Sequence, residues 1–377
     1  MAALFCVSGK NEILDTKYYW YARKLSEKVR ACAHGKGDVP DLFWEKLSMF
    51  SLNDYHYDLP PDLIAQQPAE QRDRSNLLRL DRRSGALSHH SFKEIGAFLK
   101  PGDVLVVNDT AVIPGRLAGK KATGGKVEVL ISDYAEDCKS RQQNGNVVCK
   151  CLVKASKRPS PGTWLHFADG LKAEVIDTRN GAHTLKFHFQ GDFETLLDRI
   201  GQVPLPPYIK RNQNGMAPCD DKSAYQTVYA RSRGAIAAPT AGLHFTEELL
   251  DGLRADGVSI VTLTLHVGYG TFLPVRVADI RRHQMHSEQF TICAKSAETI
   301  NNARNCGNRV VAVGTTCVRT LEYAVNSNGH LAAGSGRCDL FIFPGHLFKA
   351  VDAMVTNFHL PQSTLLMLVS AFAGRQN

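Results

Sequence analysis

Four histidines stand in five short polar-and-glycine segments, each set between apolar runs. The segments are GAIAAPTAGLHFTEE at 234–248, LHVGYGTF at 265–272, MHSEQF at 285–290, VGTTCVRTLE at 313–322 and VTNFHLPQST at 355–364. An imidazole is the side chain suited to proton transfer near neutral pH. His244 ends a turn of small residues, Pro239-Thr240-Ala241-Gly242-Leu243, where a ligand can approach the backbone closely. His266 opens the loop that carries Gly268 and Gly270. His286 and Glu288 are two residues apart, as a base and its partner or as two residues on one face of an exposed strand. Asn357 and His359 share the last segment.

Gly314-Thr315-Thr316 opens a helix after an apolar strand. The free N–H groups there suit a carboxylate or phosphate, and Arg319 follows one turn on; ordinary threonine capping is the alternative. Asn108-Asp109-Thr110 forms a polar turn within PGDVLVVNDTAVIPGRL (101–117), which ends on Arg116-Leu117. No G-x-G-x-x-G, P-loop, G-x-S-x-G or H-E-x-x-H pattern occurs, so dinucleotide, nucleotide, serine-hydrolase and zinc-protease readings lose ground.

Each segment has the form of a strand end turning into a loop, where an α/β protein keeps its chemistry. The spacing predicts strands over 104–107, 259–266, 309–313 and 351–357. It predicts helices beginning after Thr246, over 295–305, from Thr315 or Thr316, and from about Ser363. Between 117 and 200 the pattern changes. KVEVLIS, VVCKCLVKA, TWLHFA, LKAEVIDT and HTLKFHF are short strand-like runs, with Asp169-Gly170 and Asn180-Gly181 as two-residue hairpin turns. The expected architecture is an α/β (α+β) core, residues 49–116 and 201–377, interrupted by an inserted small antiparallel β-barrel at 117–200. Residues 1–48 read as an extension, with a helix over 15–33 and no motif.

The chain's 377 residues suffice for two domains with full cores. Its net charge of +8 permits a polyanionic partner such as RNA. Ten cysteines at irregular spacing, with no C-x-x-C, read as reduced cytosolic thiols rather than a disulfide framework or metal site. No apolar stretch is long enough to span a bilayer and no secretory pattern opens the chain, so the expected location is the cytoplasm.

Taken in order, these segments, with DYHYDLPPDLIAQ (54–66), GGKVEVL, PLPPYI, YQTVYA, FIFPGH (341–346) and VTNFHLPQSTLLMLVSAFAG (355–374), resemble the S-adenosylmethionine:tRNA ribosyltransferase-isomerase family of queuosine biosynthesis. The resemblance covers roughly residues 50–375. It implies that S-adenosylmethionine serves as a ribosyl donor, a co-substrate rather than a bound cofactor. The implied acceptor is 7-aminomethyl-7-deazaguanine at the wobble position of tRNA, and the products are epoxyqueuosine in tRNA, adenine and methionine. No metal and no membrane are implied. Within the family segments, His244 or His286 is the expected base, with Glu288 a further acid–base group. The loops holding Thr240, His266, Gly268, Thr315, Thr316 and Arg319 are expected to bind the donor, Arg319 or the helix N-terminus taking its carboxylate. Asn357 and His359 are expected to position the acceptor, and Asn108, Thr110 and Arg116 complete the expected binding set.

Three departures accompany the resemblance. Ala111 stands where arginine is usual, Gln362 stands where glutamate is usual, and family chains continue past 373–374 with a helix and a closing strand. Loss of a core strand is expected to expose a sheet edge. The competing readings are a truncated tRNA-binding relic and another S-adenosylmethionine-dependent RNA-modifying enzyme.

Overall fold

A computed structural model describes residues 2–7, 50–134, 145–179, 181–211, 219–272 and 274–376. The helix expected over 15–33 lies outside the described residues. The chain begins with β1 (Ala2–Val7), then β2 (Asn76–Asp81) and β3 (Leu87–Ser91), β4 (Val104–Asn108) and the short β5 (Thr110–Val112). Six strands follow: β6 (Arg116–Lys121), β7 (Lys126–Asp133), β8 (Asn146–Ala155), β9 (Trp164–His166), β10 (Lys172–Arg179) and β11 (Ala182–His188). Helices α1 (Phe193–Ile200) and α2 (Asp221–Ala224) lead to β12 (Ser232–Ala235). The remainder alternates: α3 (Glu247–Ala255), β13 (Ser259–Leu265), β14 (Glu288–Ile292), α4 (Ala294–Asn305), β15 (Val310–Val313), α5 (Thr315–Ala324), β16 (Gly334–Cys338), β17 (Ala353–Asn357) and α6 (Thr364–Ala373).

The expected mixed architecture is present. Nine strands form one sheet in the order β16-β14-β13-β4-β15-β17-β1-β2-β3, and β10-β11-β8-β7-β6-β9 close into a barrel. In the large sheet β13, β4, β15 and β17 run parallel, side by side. Every residue of β4 and β15 is buried, because both faces of these strands are covered. Val104, Val106, Val310 and Ala312 pack with Ile300 of α4 and Val318 of α5 on one face. Leu105, Val107, Val311 and Val313 pack with Leu250 and Leu253 of α3 on the other. The caps are those the sequence predicts: Thr246 accepts from Leu249 N–H and Ser363 from Leu366 N–H.

The barrel has an apolar interior of alternating residues, such as Val127, Val129 and Ile131 on β7 and Val147, Cys149 and Cys151 on β8. Asp169 (φ 53°) and Gly170 (φ 74°) turn β9 into β10 in the left-handed region, as a two-residue hairpin requires. Seven described cysteines are free. Cys149 departs from the expectation of reduced thiols: it is disulfide-bonded. Barrel entry and exit are joined to the core by reciprocal backbone bonds between Arg116 and Gln202 (3.0 and 2.9 Å). Arg233 of β12 adds ion pairs to Glu194 (3.1 Å) and Asp198 (2.7 Å) of α1.

β17 is an interior strand of the sheet. β1 lies between β17, to which it is antiparallel, and β2, to which it is parallel. It is not an appendage: Leu4 and Cys6 enter the core on one face of the sheet and Phe5 enters the core on the other. Burial pushes the Cys6 thiol up to about 12. Phe5 is fully buried. Phe5→Ala is therefore expected to lower unfolding stability by about 3–5 kcal/mol, the range for emptying a buried aromatic site. Urea denaturation checks this; a loss within about 0.5 kcal/mol, the scale of surface changes, would mean β1 is undocked.

Candidate functional site

The parallel strands deliver their C-terminal ends to one edge of the sheet, the usual location of ligand sites in open α/β sheets. In sheet order the edge carries His266 after β13, Asn108 and Thr110 at β4 and β5, Gly314 to Thr316 after β15, and Asn357 at the end of β17.

His244 is the most constrained of the histidines. It ends a 3-10 turn, Thr240–His244, whose first residue, Thr240, is half-buried. Gly242 is required within it, because a Cβ there would come within 2.0 Å of the Tyr229 hydroxyl oxygen. The His244 side chain is 3% exposed, and its ring lies 5.0 Å from the Phe92 ring. Nε2 is 2.8 Å from Asn357 Oδ1 and Nδ1 is 2.6 Å from Ser75 Oγ. With the Asn357 carbonyl oxygen facing the ring, Nε2–H is the donor and Nδ1 is the bare nitrogen, facing a Ser75 hydroxyl that also lies 3.2 Å from the Arg72 carbonyl. Burial pushes the imidazole down to about 4, outweighing the Asn357 bond and helped by Arg72. The ring is therefore neutral at pH 7. Arg72 is fixed through the carbonyls of Leu243 (3.2 Å) and Ser223 (3.0 Å). Ser75, Arg72 and His244 border a cavity of about 210 Å³, with Gln66, Tyr225 and Leu243 among its walls.

Asn108 acts as an extra rung between strands. Its Nδ2 donates to Leu265 O (2.9 Å), and its Oδ1 accepts from Leu265 N–H (3.0 Å) and Thr110 N–H (3.2 Å). Its amide is thus committed to the backbone. Thr110 Oγ1 lies 2.8 Å from His266 Nδ1, orienting a half-buried imidazole.

Arg319 and Glu288 form a buried pair, with 2.5 Å between Nη1 and Oε2 and both side chains 4% exposed. Arg319 also donates to Leu340 O (3.0 Å) and Cys338 O (3.4 Å), while Glu288 Oε1 accepts Gly268 N–H (3.0 Å). Two expectations change in consequence. The guanidinium is spent inside the protein rather than offered to a donor carboxylate. Glu288 faces Arg319 rather than serving beside His286, which is exposed. Their joint effect is to hold the glycine loop. His286 packs against Gly270, where a Cβ would meet His286 Cδ2 at 2.4 Å.

Gly314 (φ 86°) is the N-cap of α5, and no side chain caps that helix end. Thr315 is buried and Thr316 half-buried in its first turn. His359 is half-buried; its Nε2 is 2.9 Å from Thr356 Oγ1, and burial holds it down to about 4. Arg116 sits apart from His244. It borders a second cleft of about 380 Å³ with Glu128, Lys154 and Tyr269. Leu205 lines both cavities, so a single segment separates them. Ser75 and Arg72 were not legible as site residues: they stand in Arg72-Asp73-Arg74-Ser75, which matches no motif, and His244 is 169 positions away.

A histidine buried neutral gives the stability a definite pH dependence. Between pH 6.5 and about 4 the unfolded chain binds a proton that native His244 does not, so stability rises with pH across that window and is lost on acidification. The His244 contribution approaches about 3 kcal/mol at full acidification. Urea midpoints measured from pH 7 to 4.5 should fall, and His244→Gln should lessen that fall, with the part due to His359 remaining.

Comparison with known proteins adds a separate line of observation. A family model described as "Queuosine biosynthesis protein" matches residues 52–377. The chain is 52% identical over 326 residues to the S-adenosylmethionine:tRNA ribosyltransferase-isomerase of Syntrophotalea carbinolica, covering 86% of this chain and 92% of that one. It is 49% identical over 328 residues to the protein of the same name from Caldanaerobacter subterraneus, with the same coverage. A crystal structure of S-adenosylmethionine tRNA ribosyltransferase from Thermotoga maritima shares 35% identity over 86% of this chain and 90% of its own, at a TM-score of 0.45.

Proposed function

This chain belongs to the queuosine biosynthesis protein family, and from that premise we infer that it is an S-adenosylmethionine:tRNA ribosyltransferase-isomerase. It transfers and isomerises the ribosyl group of S-adenosylmethionine onto 7-aminomethyl-7-deazaguanine at the tRNA wobble position. The products are epoxyqueuosine-tRNA, adenine and methionine. The observation that carries this reading is identity of about half the residues over 86% of the chain, with the family model matching residues 52–377, which hold every loop at the sheet edge. S-adenosylmethionine is a co-substrate, and the tRNA partner assigns the work to the cytoplasm. No described helix is long and apolar enough to cross a membrane.

The sulfonium acidifies the 5′-carbon of the ribose, and a base removes that proton. His244 suits this role because it is neutral at pH 7 and its bare Nδ1 is bonded to Ser75 on the cavity wall. The proton passes to His244 through the Ser75 hydroxyl, while Asn357 holds the ring from the other side. The electron pair left on that carbon opens the ribose ring and expels adenine, which takes up a proton. The acceptor amine adds to the resulting unsaturated sulfonium, the carbanion so regenerated closes on the freed C1′ aldehyde, and the alkoxide formed there displaces methionine to give the epoxide. The loop at Gly268, pinned by Glu288, and the uncapped start of α5 are assigned to the donor, whose carboxylate suits the free N–H groups. Asn357 and His359 bound the acceptor side.

Incubation with S-adenosylmethionine and tRNA bearing the acceptor base, followed by mass spectrometry, tests the assignment. Adenine, methionine and epoxyqueuosine are expected together. S-adenosylhomocysteine would indicate a methyltransferase, and no adenine from folded protein would indicate a non-catalytic tRNA binder.

A further inference from the structure

The loop after β17 is held at several points and still turns an aromatic ring to solvent. Asn357 is tied to His244 (2.8 Å) and the His359 ring to Thr356 (2.9 Å). The His359 carbonyl accepts the Tyr57 hydroxyl, and the Leu360 carbonyl accepts Ser363 Oγ–H at 2.7 Å. Gln362, at φ 57°, donates its backbone N–H to Tyr55 O at 2.8 Å. A loop anchored in this way does not fold its apolar side chains inward. Phe358 is 58% exposed, Leu360 40% and Tyr57 37%. Phe358 directly follows Asn357, the hydrogen-bond partner of His244, so the loop that exposes the ring is the one tied to that histidine.

We propose that Phe358 is a stacking platform for an unstacked base of the RNA substrate, on the loop whose Asn357 holds His244. This rests on the tRNA reading above and names the contact that reading lacks. A base undergoing chemistry must leave its stack, and single-stranded loops are held by aromatic rings on which their bases lie. A ring on a fixed loop meets such a base with little further loss of freedom. The excess of positive charge suits the accompanying backbone. Phe358 contributes by stacking and has no part in proton transfer, so its effect belongs to RNA affinity and not to the donor.

The test uses the full chain with Phe358→Ala and Phe358→Trp. Binding of a fluorescent anticodon stem-loop is followed by anisotropy, and steady-state kinetics are measured for both substrates. Phe358→Ala is expected to weaken stem-loop binding and raise the KM for tRNA by about 10- to 100-fold. The KM for S-adenosylmethionine and the Tm should stay at wild-type values, because the ring is exposed. Phe358→Trp should restore binding. Equal binding by wild type and Phe358→Ala overturns the proposal. So does a change confined to sedimentation behaviour, which would make this face a contact between copies of the chain. Binding is read without turnover, so absence of adenine release alongside a normal Phe358 effect would sink the activity reading and leave this one standing. A wild-type protein that binds no stem-loop would sink both.

Discussion

His244→Ala is expected to reduce single-turnover adenine release by about 10²–10⁴-fold, the range for a positioned general base. The geometry makes the outcome diagnostic. Removing the ring leaves Ser75 Oγ and Asn357 Oδ1 without their shared partner in a buried place, which costs about 1–3 kcal/mol of stability. That is small enough for the fold to persist and for rate and stability to be read separately. Ser75→Ala and Asn357→Ala should give smaller rate losses, because each removes one support while the imidazole remains. With its pKa down to about 4, His244 imposes no inflection on the rate between pH 6 and 8. The rate should fall only as acidification charges the ring. Unchanged turnover in folded His244→Ala would remove this residue from the mechanism and direct attention to His286, the exposed alternative beside Gly270.

Much of the fold was legible because it is encoded locally. Thr246 and Ser363 cap their helices, the apolar runs at β4 and β15 are buried on both faces, and Asp169-Gly170 makes its hairpin turn. Each of these follows from a few adjacent residues. The site was legible only as loops at strand ends. What the side chains do there depends on partners far along the chain: Ser75 lies 169 positions from His244, and Glu288 lies 31 from Arg319. No periodicity reports such pairs. Arg319 illustrates this, since a basic residue one turn into a helix reads the same whether its charge faces a ligand or a buried carboxylate. The place of β1 was equally hidden. AALFCV is a short apolar run, with no polar alternation to reveal which neighbours it takes. In the structure it separates β17, which carries Asn357, from β2, which follows Ser75, and so sets the span that His244 bridges.

The Arg319–Glu288 pair carries an expected effect on stability as large as that of Phe5. Arg319→Met is expected to cost about 3–5 kcal/mol, because it strands a carboxylate that is 4% exposed without its counter-charge. Glu288→Leu should be similarly harmful, leaving the guanidinium with only the Leu340 and Cys338 carbonyls. The double variant Glu288→Leu/Arg319→Met should recover much of the loss, since a buried ion pair gains little over a well-packed apolar pair once both charges are gone. A double-mutant cycle in urea reads the coupling directly. Function should not recover with stability. Gly268 N–H is anchored by Glu288 Oε1, and an apolar pair offers it no acceptor, so the double variant should fold yet bind S-adenosylmethionine poorly. Additive losses in the cycle would show that the pair is not coupled. Wild-type donor affinity in the stable double variant would show that the glycine loop keeps its shape without Glu288, and that the donor lies elsewhere on the sheet edge.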